Sequence, residues 1–185
     1  MNEDTYENCP VRVDLFRAAF EASTPDGLVL EFGVSSGSSI QQIANLFGRP
    51  VYGFDSWEGL PEDDFPGGWP DFKKGAYRAD KQNLGEGIIL IDGWFKDSLP
   101  GFVKEHPEPA RFVNIDCDIY SSTKDVLDHI IVKSGTVFHF DEFKNYTGWE
   151  RREYKAFQEF IERTGYHYEY IAKWAEGGNV VIRLI

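Results

Sequence analysis

The sequence predicts an α/β fold, with a mostly parallel sheet that ends in an antiparallel hairpin. Short apolar, β-rich runs at residues 28–32, 51–54, 88–91, 112–115 and 136–140 are interleaved with segments of helical periodicity, the order that builds a parallel sheet. The last two β-rich runs, 166–174 and 179–185, are joined only by Ala175-Glu176-Gly177-Gly178, a short glycine turn of the hairpin kind. At 185 residues and 21.2 kDa the chain can bury one substantial core and is too short for two ordinary ones, so residues 1–185 are expected to form a single domain.

The elements follow in order. Residues 10–22 carry Val11, Leu15, Phe16, Ala19 and Phe20 on one helical stripe, which stops before Thr24-Pro25-Asp26-Gly27. The first strand, 28–32, leads through a glycine-bearing turn into a helix over 38–47 that Gly48 and Pro50 close. The second strand ends at Asp55. Residues 56–80 are rich in Gly, Pro, Trp and acids, and a connection of that length in a compact domain is expected to act as a lid-like insertion over a pocket. Helices are predicted near 96–105, 121–132 and 149–164, the last with Tyr154, Phe157, Phe160 and Ile161 on one side and Gly165 as its stop.

Charge and cysteine content exclude several function classes. A net charge of −12 with no Lys/Arg cluster repels nucleic-acid phosphates and anionic lipid heads, so neither partner is expected. No apolar run approaches the ~20 residues that cross a bilayer. Cys9 and Cys117 lie far apart, and the first ten residues lack the basic and apolar regions of a signal peptide, which together predict a reduced, cytoplasmic protein.

In open α/β sheets ligands bind beyond the carboxyl ends of the strands, so the residues after each strand are the informative ones. After the first comes Glu31-Phe32-Gly33-Val34-Ser35-Ser36-Gly37-Ser38-Ser39. Gly33 and Gly37 permit a sharp turn and close backbone approach, Ser38 and Ser39 can cap the helix, and the free N–H groups there favour an anion. The GxGxxG triplet that seats a pyrophosphate is missing. Glu31 would disfavour a phosphate and suit an ammonium group, while Asp55, followed by Ser56, can accept hydrogen bonds from ribose hydroxyls. Ammonium, carboxylate and ribose together describe S-adenosylmethionine better than a nicotinamide dinucleotide. Gly33, Val34, Ser38, Asp55 and Ser56 are therefore candidate cofactor-binding residues with Glu31, and Gly93, Trp94 and Phe95 would border the adenine.

Strands 112–115 and 136–140 both run into acids, at Asp116-Cys117-Asp118 and Asp141-Glu142. Neighbouring strands lie ~4.8 Å apart, so Asp116, Asp141 and Glu142 can converge on one hard divalent cation, Mg2+ in the first instance. The absence of His and Cys from the set argues against zinc. Such a cation lowers the pKa of a substrate hydroxyl, and Asp116, also placed beside the cofactor, could take the proton, with Asp118 and His139 as alternatives. His139 reads more readily as a hydrogen-bonded structural residue than as a ligand. Cys117, between two acids, reads as a packing residue, because neighbouring carboxylates raise a thiol pKa.

The stretches LEFGVSSGSS, YGFDSWEGLPE, DGWFKDSLP, NIDCDIYSSTKDVLD and FHFDEF, in that order, resemble the macrocin O-methyltransferase (TylF-like) family of class I S-adenosylmethionine-dependent methyltransferases. The resemblance covers most of the chain from Leu28 onward. It implies a Rossmann-like three-layer sandwich with a seven-stranded sheet, and Mg2+-assisted O-methylation of a hydroxylated small molecule, often a sugar. It also implies Glu31 and Gly33 beside the methionine moiety, Asp55 at the ribose, Gly93 and Trp94 at the adenine, and Asp116, Asp141 and Glu142 on the metal. Catechol-type relatives carry a lysine three positions after the first metal-binding aspartate, where this chain has Ile119. With little N-terminal extension, a large acceptor would need the 56–80 lid, where Trp69, Phe72 and Tyr77 could stack on a ring, or a second subunit of a homo-oligomer. Two competing expectations are a catalytically inactive S-adenosylmethionine-binding module of the same fold and an NAD-dependent oxidoreductase, the latter disfavoured by the missing triplet and the final hairpin.

Overall fold

The computed structural model describes residues 7–9, 12–48, 50–64, 72–174 and 177–185. Its strands are β1 (Glu7–Cys9), β2 (Leu28–Phe32), β3 (Val51–Asp55), β4 (Ile88–Asp92), β5 (Ala110–Ile115), β6 (Val137–Phe140), β7 (Tyr168–Trp174) and β8 (Val180–Leu184). Between them run helices α1 (Arg12–Ala22), α2 (Ser38–Phe47), α3 (Phe95–Glu105), α4 (Tyr120–His129) and α5 (Glu153–Thr164).

All strands join one sheet in the order β1-β7-β8-β6-β5-β2-β3-β4. The pairs from β6 through β4 are parallel, whereas β8 runs antiparallel to both β6 and β7. The seven expected strands are thus present as a mostly parallel Rossmann-like sheet with a reversed terminal strand. An eighth, three-residue strand, β1, pairs parallel with β7 at the edge. From β2 the chain builds outward through β3 and β4, then crosses back to β5 on the other flank of β2, which puts the switch in strand order between β2 and β5.

The alternation of side chains along each strand feeds two cores. Val29, Val51, Phe112, Val137 and Val181 face one way and pack with Leu15 and Phe16 of α1 and Ile40, Ile43 and Phe47 of α2. Leu30, Phe32, Val113, Ile115, Phe138 and Phe140 face the other way and pack with α3, α4 and α5 through Leu99, Phe102, Val126, Leu127, Phe157 and Phe160. Helices on both faces of the sheet make the three layers. β5 and β6, central and covered on both faces, are buried at every position.

Two helix boundaries differ from expectation. α4 ends at His129, not at 132, because Ile130 turns to an extended conformation. The helix expected over 149–164 is interrupted: a 3-10 turn, Trp149–Arg151, precedes α5, and Arg152 between them leaves helical geometry with φ −109° and ψ −130°. Arg152 is drawn into the interior, where its side chain pairs with Asp64. Among the described residues, no helix is long and apolar enough to cross a membrane.

Candidate active site

The cleft begins where β2 and β5 end. Gly33 has φ +91°, and a Cβ there would lie 1.8 Å from the main-chain oxygen of Asp116. Only glycine fits that gap, so the first turn and the first acid of strand β5 are packed backbone to backbone. Main-chain hydrogen bonds continue past the strand ends, from Asp116 N–H to the Phe32 carbonyl at 2.9 Å, from Gly93 N–H to Asp55 at 3.0 Å and from Asp141 N–H to Ile115 at 3.1 Å. They hold the post-strand residues in register around one opening of about 730 Å³.

The turn after β2 leads to Gly37, which is the N-cap of α2 with φ 82° and provides no side-chain cap. Here the serines differ from expectation. Ser39 turns its hydroxyl inward to donate to Glu31, and Ser38 lines the cleft instead of capping. The start of α2 therefore borders the cleft with the positive end of its dipole and without a side-chain hydrogen bond at the cap. Gly33 and Val34 line the same wall.

Glu31 is placed differently from the expectation that it would meet an ammonium group at the wall. It is fully buried on the α1/α2 face of the sheet, where its carboxylate accepts from Ser39 Oγ and from Asn114 Nδ2, the latter at 2.9 Å, and it is not among the residues lining the cleft. Strand parity explains this: Glu31 shares a face with Val29, under α2. Asn114 passes the contact on to His139 Nδ1 at 2.6 Å, and the His139 ring packs on Phe16 with centroids 4.9 Å apart. His139 is thus a buried structural histidine away from the opening. The Asn114 link was not legible in the sequence, since an asparagine within an apolar strand carries no motif.

Asp55 lines the cleft and also secures the turn. Its Oδ2 accepts the N–H groups of Val34 and Ser35 at 2.9 and 2.8 Å, and its Oδ1 accepts that of Trp57 at 2.8 Å. Ser56, Gly93, Trp94 and Phe95 border the same space. Gly93, with φ +116°, has nothing within 4 Å of where a Cβ would stand, so its flat surface faces open cleft. Phe95 is held edge-on against Phe32, with centroids 5.4 Å apart.

At the other end, carboxylate oxygens of Asp116, Asp141 and Glu142 all come within 4.8 Å of one another. Asn179 on the approach to β8 donates to Asp141 Oδ1, and the Glu142 N–H donates to Glu153 Oε2 at 3.0 Å. Glu142 Oε2 is buried and has no hydrogen-bond partner among the described residues. Asp118, at φ +66°, lines the cleft beside the trio. Burial first, and then the charges of Asp116 and Asp141, push its carboxyl up to about 7. Glu142 is likewise held well above the ordinary carboxylate range by burial and by Asp141 and Asp118. Cys117 is buried with its thiol pushed up by that burial, which leaves a packing residue 3.5 Å from Thr123 Oγ1.

Described residues of the 56–80 stretch, among them Leu60, Glu62, Lys74 and Tyr77, line this cleft. Leu60, Phe72 and Ile119 form a small core of their own, with Ala76 against it. The Leu60 N–H donates to Ala76 at 2.9 Å and that of Asp64 to Phe72 at 2.9 Å. Ile119, the position of the lysine in catechol-type relatives, is therefore an anchor for the insertion. Asp64 pairs with Arg152 at 2.6 Å, both almost without exposure, and the guanidinium carbon lies 4.4 Å from the Phe72 ring centroid. Phe72 is an anchor, not a stacking surface. Tyr77, 57% exposed at φ +63°, lines the cleft. Trp69 lies outside the described residues. Asp64, Arg152 and Glu153 were missed in the sequence because they belong to no motif.

Solved structures share this fold, and three of them show its extent. CalS11, a calicheamicin methyltransferase, superposes with a TM-score of 0.73 at 21% identity over 92% of this chain and 76% of that one. The O-methyltransferase NovP gives 0.70 at 20% identity over 93% and 78%. An O-methyltransferase from Bacillus cereus in complex with SAH gives 0.58 at 16% over 98% and 83%. No curated protein matches at the level of sequence. The family model for Macrocin-O-methyltransferase (TylF) matches residues 12–165. With that match over most of its length and a cleft at the switch point of the sheet, the chain belongs to the macrocin O-methyltransferase (TylF) family and is an S-adenosylmethionine-dependent O-methyltransferase.

Proposed function

We propose that this enzyme methylates a hydroxyl group of a small polyhydroxylated molecule, a sugar or a related natural product, with Asp116, Asp141 and Glu142 holding a hard divalent cation, Mg2+ in the first instance. The observation that carries this is the convergence of those three acids within 4.8 Å, on the cleft that starts at the glycine turn. The donor set fits such an ion: all oxygen, partly buried, with Glu142 Oε2 lacking any partner among the described residues. A sugar acceptor is supported by CalS11 itself, whose apo structure, at a TM-score of 0.63 and 22% identity, is that of a TDP-rhamnose 3'-O-methyltransferase.

The chain's own residues supply binding and orientation. The open N-terminus of α2, with Gly33, Val34 and Ser38, suits the methionine carboxylate. Asp55 and Ser56 suit the ribose, and Gly93, Trp94 and Phe95 suit the adenine. Glu31 would act from behind, by fixing Ser39 at the start of α2. S-adenosylmethionine held there would supply the methyl group, its S–C bond breaking as the O–C bond to the acceptor forms. The hydroxyl proton goes to a cleft carboxylate: Asp116, or Asp118, which stands outside the converging trio and stays available when Asp116 is engaged. A bound cation supplies orientation of the acceptor hydroxyl and a lowered pKa for it. A cytoplasmic location belongs to the same proposal and is supported by the free, buried thiol of Cys117 in a chain with two cysteines.

The test is a set of hydroxylated acceptors with labelled S-adenosylmethionine, assayed with Mg2+ and with excess chelator. Product that depends on the ion supports the proposal. Full activity in chelator would remove the metal role, and product from none of the sugar acceptors would remove the substrate class.

A further inference from the structure

Arg152 and Glu153 are neighbours in the chain, and both side chains are fully buried. They stand at the break before α5, and they reach different partners. Arg152 grips the insertion, with its Nε 2.6 Å from Asp64 Oδ2 and its guanidinium carbon 4.4 Å from the Phe72 ring centroid. Glu153 reaches the acid site: its Oε2 accepts the Glu142 N–H at 3.0 Å, and its Oε1 is buried with no hydrogen-bond partner among the described residues. A carboxylate fully buried behind the acids of the cleft is costly, and packing alone would be served better by an apolar side chain. Its hydrogen bond explains what the residue contributes. Asn179 holds Asp141 from the β8 side, and Glu153 holds Glu142 from the α5 side, so the Asp141-Glu142 turn is clamped at both acids.

We propose that Glu153 is a positioning residue for the cation site: by accepting the Glu142 N–H it fixes the Asp141-Glu142 turn against Asp116, and through Arg152 it joins that turn to the insertion over the cleft. This rests on the cation reading of the trio. Partners that orient ligating carboxylates from behind typically alter metal affinity about 10- to 100-fold when removed.

Two conservative variants separate reach from charge. Glu153→Gln keeps an oxygen at the same distance and loses the charge; Glu153→Asp keeps the charge and withdraws the oxygen. Mn2+ binding is followed through the electron paramagnetic resonance signal of the free ion, and S-adenosylhomocysteine binding by calorimetry serves as the control for an intact fold. Glu153→Gln is expected to bind Mn2+ within about 3-fold of the unaltered protein and Glu153→Asp at least about 10-fold more weakly, both with unchanged S-adenosylhomocysteine affinity. Native Mn2+ affinity in Glu153→Asp, or a loss in Glu153→Gln as large as that in Glu153→Asp, overturns the inference while leaving the metal reading standing. Failure of the unaltered protein to bind Mn2+ overturns the metal reading, and this inference with it.

Discussion

Arg152 and Asp64 form an ion pair at 2.6 Å with side chains 0% and 8% exposed, linking the start of α5 to the insertion 88 positions away. A pair so buried gains its value from completeness, since removing one partner strands the other charge in the interior. Asp64→Ala should cost about 3–5 kcal/mol, which for a chain of this size lowers the melting temperature by roughly 10 °C. Thermal unfolding followed by circular dichroism reads this directly. A shift of a degree or less would mean that the insertion is held mainly by Leu60, Phe72 and Ile119.

The close approach of Gly33 to Asp116 gives a second prediction. An added methyl group would stand 1.8 Å from a main-chain oxygen, at a φ of +91° that side chains rarely adopt. Gly33→Ala should therefore destabilise the protein by at least about 2 kcal/mol and weaken S-adenosylmethionine binding, because the turn and the first acid of the trio move together. Urea unfolding and calorimetry measure the two effects. Native cofactor affinity in the variant would separate the turn from the cofactor site.

Asp118 should make the cation-free protein less stable as pH rises. Its carboxyl is raised from 3.8 to about 7 in the folded state, so the stabilisation from its proton is fully present below the unfolded value and is lost as pH climbs through about 7. Glu142 and Glu153, also raised by burial, act in the same direction. The melting temperature in chelator should fall between pH 5 and 8. Asp118→Asn, an exchange that φ +66° tolerates, should flatten part of that fall. An identical slope in both proteins would show that Asp118 titrates normally.

Tyr77 offers a test of acceptor recognition. Its ring lines the cleft in a left-handed conformation that costs about 1–3 kcal/mol for a bulky residue and persists where something requires it. Tyr77→Gly removes the ring and suits the backbone, so stability should hold or rise while the acceptor KM increases about 5- to 10-fold, the worth of one aromatic contact. The Kd for S-adenosylmethionine should stay the same. A change in cofactor affinity with no change in acceptor KM would move Tyr77 to the donor end of the cleft.

Sequence alone determined the elements whose evidence is local. Residues 28–32 and 38–47 carry apolar patterns and glycine boundaries within a few positions of one another, and β2 and α2 have those very limits. The acids Asp116, Asp141 and Glu142 were legible for a related reason: Asp116 and Asp141 follow directly on apolar strands, Glu142 comes next after Asp141, and parallel strands bring their ends together. Tertiary structure decided what depends on distant partners. The β1 edge exists only through pairing with β7, since Glu7, Asn8 and Cys9 form no pattern of their own. The helix over 149–164 is broken because Arg152 turns inward to Asp64, and no periodicity within the helix records an acid 88 positions earlier. Glu31 faces α2, not the cleft, because the register of β2 between β3 and β5 places it beside Asn114, whose side-chain amide donates to its Oε1. A local pattern is set by neighbours in the chain; a buried charge finds its partner only when the chain has folded around it.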